Sequence, residues 1–253
     1  MNFVGMLTLM KREMVRSLKI INQVIWPPMI TTALYVFVFG VALGSRVKAP
    51  HGMSYSVFLI PGLIMLQVID SSYGECSSSV FQGRFMNWIQ EMLIAPMSAA
   101  EIVFGYILGS ITRALLIACL IMGLGFALVH TLPHDWLLYF AIIIDVSLLF
   151  SALGVIFGLM AEKFDHLAAL TTFAITPLVF VGSAFTPAQF LPANILRFEY
   201  FNPMFYTIDA FRYSYTSASY LPLWLSVTVI TGLAALSLSI ALSMAYSGYK
   251  LRA

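Results

Sequence analysis

Long apolar runs alternate with short polar intervals along this chain, and the runs are too long for the core of a soluble domain. A run of about 18 or more apolar residues reads as a membrane-spanning helix. Six spans emerge, over residues 24–43, 57–79, 102–129, 136–160, 167–185 and 223–246. Residues 1–22 ahead of them read as an amphipathic helix. Phe3, Leu7, Met10, Met14 and Leu18 fall on one stripe, and Arg12, Arg16 and Lys19 on another. A basic helix of that kind lies in the membrane interface. The run from Ile20 to Leu43 exceeds the apolar core of a signal peptide, roughly 7–15 residues, and is read as retained.

Composition agrees. The chain is 60% hydrophobic and 9% charged, against roughly 25% charged in soluble domains. The sequence is therefore expected to form an all-α membrane protein with a single transmembrane domain over residues 1–253. Cys76 and Cys119 lie in apolar segments and read as small core residues. The net charge of +2 gives no reason to expect nucleic acid. The distribution of Lys and Arg sets orientation. With the N-terminus inside, Lys11, Arg12, Arg16, Lys19, Arg84, Lys163, Lys250 and Arg252 are cytoplasmic, and Arg46, Lys48, Arg197 and Arg212 are outside. Eight cations against four favours both termini in the cytoplasm.

Polar residues then gather in three places. The first is "RFMNWIQEMLIAPMS", Arg84 to Ser98, in the largest cytoplasmic loop. Written as a helix over residues 84–97, it sets Phe85, Trp88, Ile89 and Met92 on one stripe. Arg84, Asn87 and Glu91 share another, Gln90 lies beside them, and Pro96 ends the helix. The segment reads either as an interfacial connector or as a docking surface for a soluble partner. The short loop at residues 161–166 is a smaller contact beside it.

The second place is inside the spans, where a charge needs a partner or water because it costs about 2.5–3.5 kcal/mol at mid-bilayer. Arg113 sits roughly 17 Å from the inner start of its span and Asp145 roughly 14 Å from the outer start of the next. Their similar height predicts an Arg113–Asp145 ion pair. Asp70, Ser71, Glu75 and Ser78 make the second span the most polar, and Thr172 and Thr176 mark the fifth. Such faces either pack helices or line a pathway.

The third place is residues 186–221. Four prolines, Pro187, Pro192, Pro203 and Pro222, interrupt the segment and its close, and aromatic residues crowd it. Two short helices re-entering the outer leaflet are expected, buried in protein because irregular backbone cannot face lipid. No P-loop, Gly-x-Ser-x-Gly or His-Glu-x-x-His motif occurs, and the four histidines fall in loops. Neither enzyme chemistry nor a metal site is expected.

Together these pieces resemble the membrane subunit of type-2 ATP-binding-cassette exporters, and within that family the YadH-type permeases. The carrying residues are the 84–98 loop with its acidic residue followed by apolar residues and Ala-Pro, "PGLIM" at Pro61 to Met65, and "NPMFYTIDAFRY" at Asn202 to Tyr213. The resemblance implies a permease that pairs with a second copy of itself and engages two copies of a cytoplasmic ATPase. ATP and magnesium would be held by that partner and no cofactor by this chain. It implies a coupling helix at residues 84–97, with Glu91 touching the ATPase, and a path between the copies lined by spans one, two and five. It also implies an outer gate at Pro203, Tyr206 and Arg212. The location would be the bacterial inner membrane, and the cargo a lipid, glycolipid or amphipathic compound. The alternative is an ion-coupled secondary transporter or channel that uses Asp70, Glu75 and Asp145 for protons.

Overall fold

The computed structural model describes residues 3–42, 52–86, 88 and 97–249. All the regular structure among them is helical. Helix α1 (Phe3–Lys19) is followed by α2 (Ile21–Tyr35), which continues as a π-helical turn over Val36–Ala42. Then come α3 (Tyr55–Phe85), α4 (Ala99–Val129) and α5 (Trp136–Met160). Helix α6 (Phe164–Ala184) is interrupted by π-helical turns at Thr171–Ile175 and Phe180–Ala184. A 3-10 turn at Ala188–Phe190 leads to α7 (Ala193–Glu199), α8 (Pro203–Thr216) and α9 (Leu223–Tyr246). Six of these, α2 to α6 and α9, are long and apolar enough to cross a membrane. The fourth and sixth spans begin and end where the apolar pattern places them, and α3 runs six residues further at its C-terminal end than expected, from 79 to Phe85.

Side chains cap the ends at several junctions. Ser98 and Glu101 form a reciprocal box at the start of α4, the Glu101 amide reaching Ser98 Oγ at 3.3 Å and the Ser98 amide reaching Glu101 Oε2 at 2.7 Å. Asp135 caps α5 and Asn202 caps α8, each accepting a backbone N–H at 3.0 Å. The loop between α4 and α5 is tied to α8, because the amides of His134 and Asp135 both donate to the Ser214 carbonyl.

Helix α3 is the centre of the bundle. Leu59, Ile60, Ile64, Met65 and Val68 are fully buried, and α4 and α5 pack on either side. Small residues permit the close approach. A Cβ on Gly154 of α5 would stand 2.9 Å from Cys76 Cβ. Of the two cysteines expected in the core, Cys76 is buried. Cys119 is exposed, because it falls on the outward face of α4.

Helix α1 does not present its apolar stripe to the protein. Phe3, Leu7 and Leu18 are exposed, and the buried line is Leu9, Glu13 and Ser17. That line lies over Gly105 and Gly109 of α4. A Cβ at either glycine would come within 2.7 Å of Leu9 Cδ2 or Glu13 Cβ. Glycines four apart let two helices touch backbone to backbone. Gly109→Val is therefore expected to destabilise the purified protein by about 1–3 kcal/mol through overpacking, read as a lower melting temperature. Gly123→Val on the same helix, where nothing lies within 4 Å, should leave it unchanged.

Candidate functional site

The buried line of α1 ends in a charge cluster with α3 and α4. Glu13 accepts from Arg12 at 2.8 Å and from Arg16 at 3.0 Å. Arg16 reaches on to Glu75 of α3 at 2.8 Å and also bonds to Ser79. Glu75 is 7% exposed and takes two further contributions, from Ser17 Oγ at 2.9 Å and from Arg113 of α4. Ser79 Oγ donates to Glu13 at 3.0 Å and Arg12 reaches the Tyr106 hydroxyl at 3.4 Å. The network closes three helices around one carboxylate.

This arrangement corrects the expected Arg113–Asp145 pair. Arg113 bonds to Glu75, and Asp145 instead accepts from Thr231 Oγ1 of α9 at 2.7 Å. Depth along an axis does not fix the direction a side chain points. Helix α3 lies between α4 and α5 and places Glu75 where it intercepts the guanidinium. Glu75 is thereby engaged by both α1 and α4. Ser71 and Ser78 are turned back on their own helix, donating to the carbonyls of Val68 and Glu75 at 3.2 and 3.1 Å.

Asp70 and Thr176 are brought together. They line a cavity of about 130 Å³ with Tyr35, Leu66, Gln67, Ile175, Val179 and Phe180, where α2, α3 and α6 meet. Thr172, one turn before Thr176, is exposed on the same helix.

Of the 84–97 segment, Asn87, Gln90, Glu91, Met92 and Pro96 lie outside the described residues. Arg84 is the last basic residue of α3, and its Nη1 donates to the carbonyls of Gly158, Leu159 and Ala161 at 2.7–3.1 Å. A cation at the C-terminal end of α5 offsets the helix dipole there. Arg84 therefore faces α5 rather than a shared polar face of the loop. Trp88 is exposed, with the Arg12 guanidinium 5.9 Å from its ring centre.

The segment over residues 186–221 is a clasp on the end of α6. At Ser183 the backbone turns left-handed, with φ of 62°, which ends the helix. Its hydroxyl donates to Glu199 at 3.1 Å and its carbonyl accepts from Arg212 Nη2 at 2.7 Å. The Asn202 amide donates to the Leu178 carbonyl at 2.7 Å. Arg212 lies over the Phe58 ring at 3.9 Å, so α8 is fastened to α3 as well. Burial pushes its pKa down to about 10, which leaves it charged at neutral pH. Asp209 accepts the amides of Tyr220 and Leu221 at 2.9 Å each. Pro203 opens α8, and the Tyr206 hydroxyl donates to the Tyr200 carbonyl at 2.8 Å.

Sequence reasoning missed Glu13, Ser17, Tyr106, Ser183 and Glu199. A lone acid within the basic stripe of α1 and the Gly105/Gly109 spacing were the available signals for the first three. The others depend on chain reversals that no local pattern marks. Among the described residues, no group of three or more His, Cys, Asp or Glu is arranged to hold a metal.

Two measurements follow. Removing one partner of a buried ion pair costs about 3–5 kcal/mol. Arg113→Met should therefore lower the unfolding midpoint strongly and Glu75→Gln comparably, with much less than additive loss when combined. Asp145→Asn should couple to neither. Equal coupling of Arg113 to Asp145 would contradict the assignment. The second concerns Glu199, fully buried, whose pKa is raised from 4.5 to about 7 by burial. The folded state then holds this proton more tightly than the unfolded one. The stability this group contributes is fully present below about pH 4.5 and is lost as pH rises to about 7. Thermal melts of Glu199→Gln should lack that slope.

The ABC-2 type transporter family profile matches residues 5–216. The inner membrane transport permease YadH of Escherichia coli strain K12 is 34% identical over 221 residues, 87% of this chain and 86% of the relative. Nodulation protein J of Rhizobium leguminosarum bv. viciae is 29% identical over 185 residues, 71% of this chain and 70% of that protein. With a helical bundle of six membrane spans and a match over most of its length, this chain belongs to the ABC-2 type transporter family, as a membrane transport permease subunit.

Proposed function

We propose that the chain is half of an exporter in the bacterial inner membrane, with both termini in the cytoplasm. It pairs with a second copy of itself and is driven by two copies of a cytoplasmic ATPase, which hold the ATP and magnesium. The cargo is a lipid, glycolipid or amphipathic compound that crosses between the copies. Membrane lipid bathes the exposed apolar stripe of α1. Residues 84–97 form the coupling helix, in which Glu91 contacts the ATPase.

The observation that carries this reading is the charge cluster. A helix that lies outside the bundle is fixed by Glu13 and Arg16 to Glu75 and, through it, to Arg113 in the membrane interior. Force applied to α1 or to the loop beside it at Trp88 thus reaches α3 and α4 without a flexible joint. Binding of ATP can bias the permease only as far as its free energy differs between the two conformations, and a stiff connection is what transmits that difference. The ion-coupled alternative is less well supported. Glu75 is closed in by three helices and Asp145 is bonded to Thr231, so two of its three carboxylates have other roles. The outer clasp at Pro203, Tyr206 and Arg212 suits a gate, because it holds the broken end of α6 through a few polar bonds.

Glu91→Arg tests the coupling. Losing one side of an interfacial charge contact costs about 2–5 kcal/mol, so co-purification of the ATPase should fall at least tenfold at fixed concentration. The variant permease should keep its melting temperature. Unchanged ATPase binding and unchanged nucleotide-dependent transport would overturn the assignment of residues 84–97.

A further inference from the structure

The cavity at Asp70 combines features that the transport reading does not by itself explain. Asp70 lies within a membrane span, is exposed, and has no hydrogen bond or ion pair among the described residues. The neighbouring Arg113 bonds to Glu75 and acts on Asp70 only as a nearby charge, without a contact ion pair. An intramembrane carboxylate without a hydrogen bond or contact ion pair is costly and is a sign of a functional contact. Its surroundings are aromatic. Tyr35 and Phe180 line the cavity, 6.3 Å apart and edge to face. Behind them Phe185 stacks on Phe180 at 4.6 Å, and Phe39 lies 5.4 Å from Phe185. Gln67 and Thr176 supply the other polar groups.

The backbone around the cavity is also unusual. The π-helical segments of the described structure fall in α2 and α6 alone. One begins directly after Tyr35, one ends directly before Thr176, and one begins at Phe180. Turns of this kind are rare and recur at functional sites, since the wider turn is poorly packed and is kept where it shapes something. Here they adjoin the residues that line this one cavity.

A carboxylate faced by aromatic rings in a low-dielectric setting selects a positive charge, because the ring face and the anion both attract it. The volume of about 130 Å³ holds about four waters. That suits a small ammonium headgroup rather than a sugar chain. The lipid-exposed side of α6, where Phe173 and Val181 are exposed, offers a place for an alkyl tail. We propose that Asp70, Tyr35 and Phe180 form the recognition site for the cationic headgroup of an ammonium-bearing amphiphile. This rests on the export reading and narrows its cargo.

The test is direct binding to the purified chain in the non-ionic detergent dodecyl maltoside, so it does not depend on the ATPase. Equilibrium dialysis would compare decyltrimethylammonium with decyl sulfonate, which has the same chain length and the opposite charge, each corrected for empty micelles. The cation should bind at least about tenfold more tightly. Asp70→Asn should erase that preference, and Phe180→Leu should weaken the cation more than the anion. Equal binding of the two probes to the wild-type chain, or a cation preference that survives Asp70→Asn, would overturn the site. The wild-type comparison decides even if a variant fails to fold. Competition by phosphatidylethanolamine would mark a lipid as the source of the headgroup, and retained binding in its presence a free amphiphile. Failure here would leave the ATPase-coupling assignment untouched, since that is read by co-purification with Glu91→Arg.

Discussion

Glu75 is the group on which the arrangement depends. A carboxylate inside a membrane bundle is costly unless it is paired or reaches a water-filled cavity, and this one is paired from two directions at once. Arg16 and Ser17 come from α1, outside the bundle, and Arg113 comes from α4 within it. The same carboxylate therefore fixes where α1 lies, how α3 is rotated against α4, and which arginine is left to serve Asp145. The last answer is none, and Asp145 turns to Thr231. The glycines at 105 and 109 belong to the same constraint, since α1 reaches Glu75 only by lying directly on the backbone of α4.

Two polar clusters tie the helices together around that fixed point. In the first, three helices share one ionic network. In the second, the end of α6 is a left-handed residue gripped by Glu199 and Arg212. Between the two lies the face formed by α2, α3 and α6, where the π-helical turns, the aromatic cluster and Asp70 coincide.

The spans were legible in the sequence because an apolar run needs only length to declare itself. The spans at 136–160 and 223–246 match α5 and α9 end to end. The C-terminal end of α3 was not legible, because Gln82 and Arg84 look like loop residues until α5 supplies three carbonyls for the arginine. The apolar stripe of α1 was read correctly as a stripe, and its direction was not. Leu9, Glu13 and Ser17 form the buried line, and nothing local to α1 announces a glycine groove about a hundred residues away. The Arg113–Asp145 expectation failed for a related reason. Sequence gives height along a helix, and pairing also needs the angle around it. Asp70 and Thr176, chosen as pathway candidates from polarity alone, do meet at one cavity, whereas Ser71 and Ser78 bond to their own backbone.

The central claim is that α1 and the bundle move as one body. It is tested most directly by distance measurements between spin labels at Lys11 on α1 and Leu116 on α4, with Cys119 replaced, in the proposed complex of two copies with their ATPase. The account predicts one narrow distance that is the same with and without a non-hydrolysable ATP analogue, while the distance between the Lys11 labels of the two copies changes. A Lys11–Leu116 distance that shifts on nucleotide binding would show α1 sliding over α4, and the stiff connection through Glu75 would be contradicted.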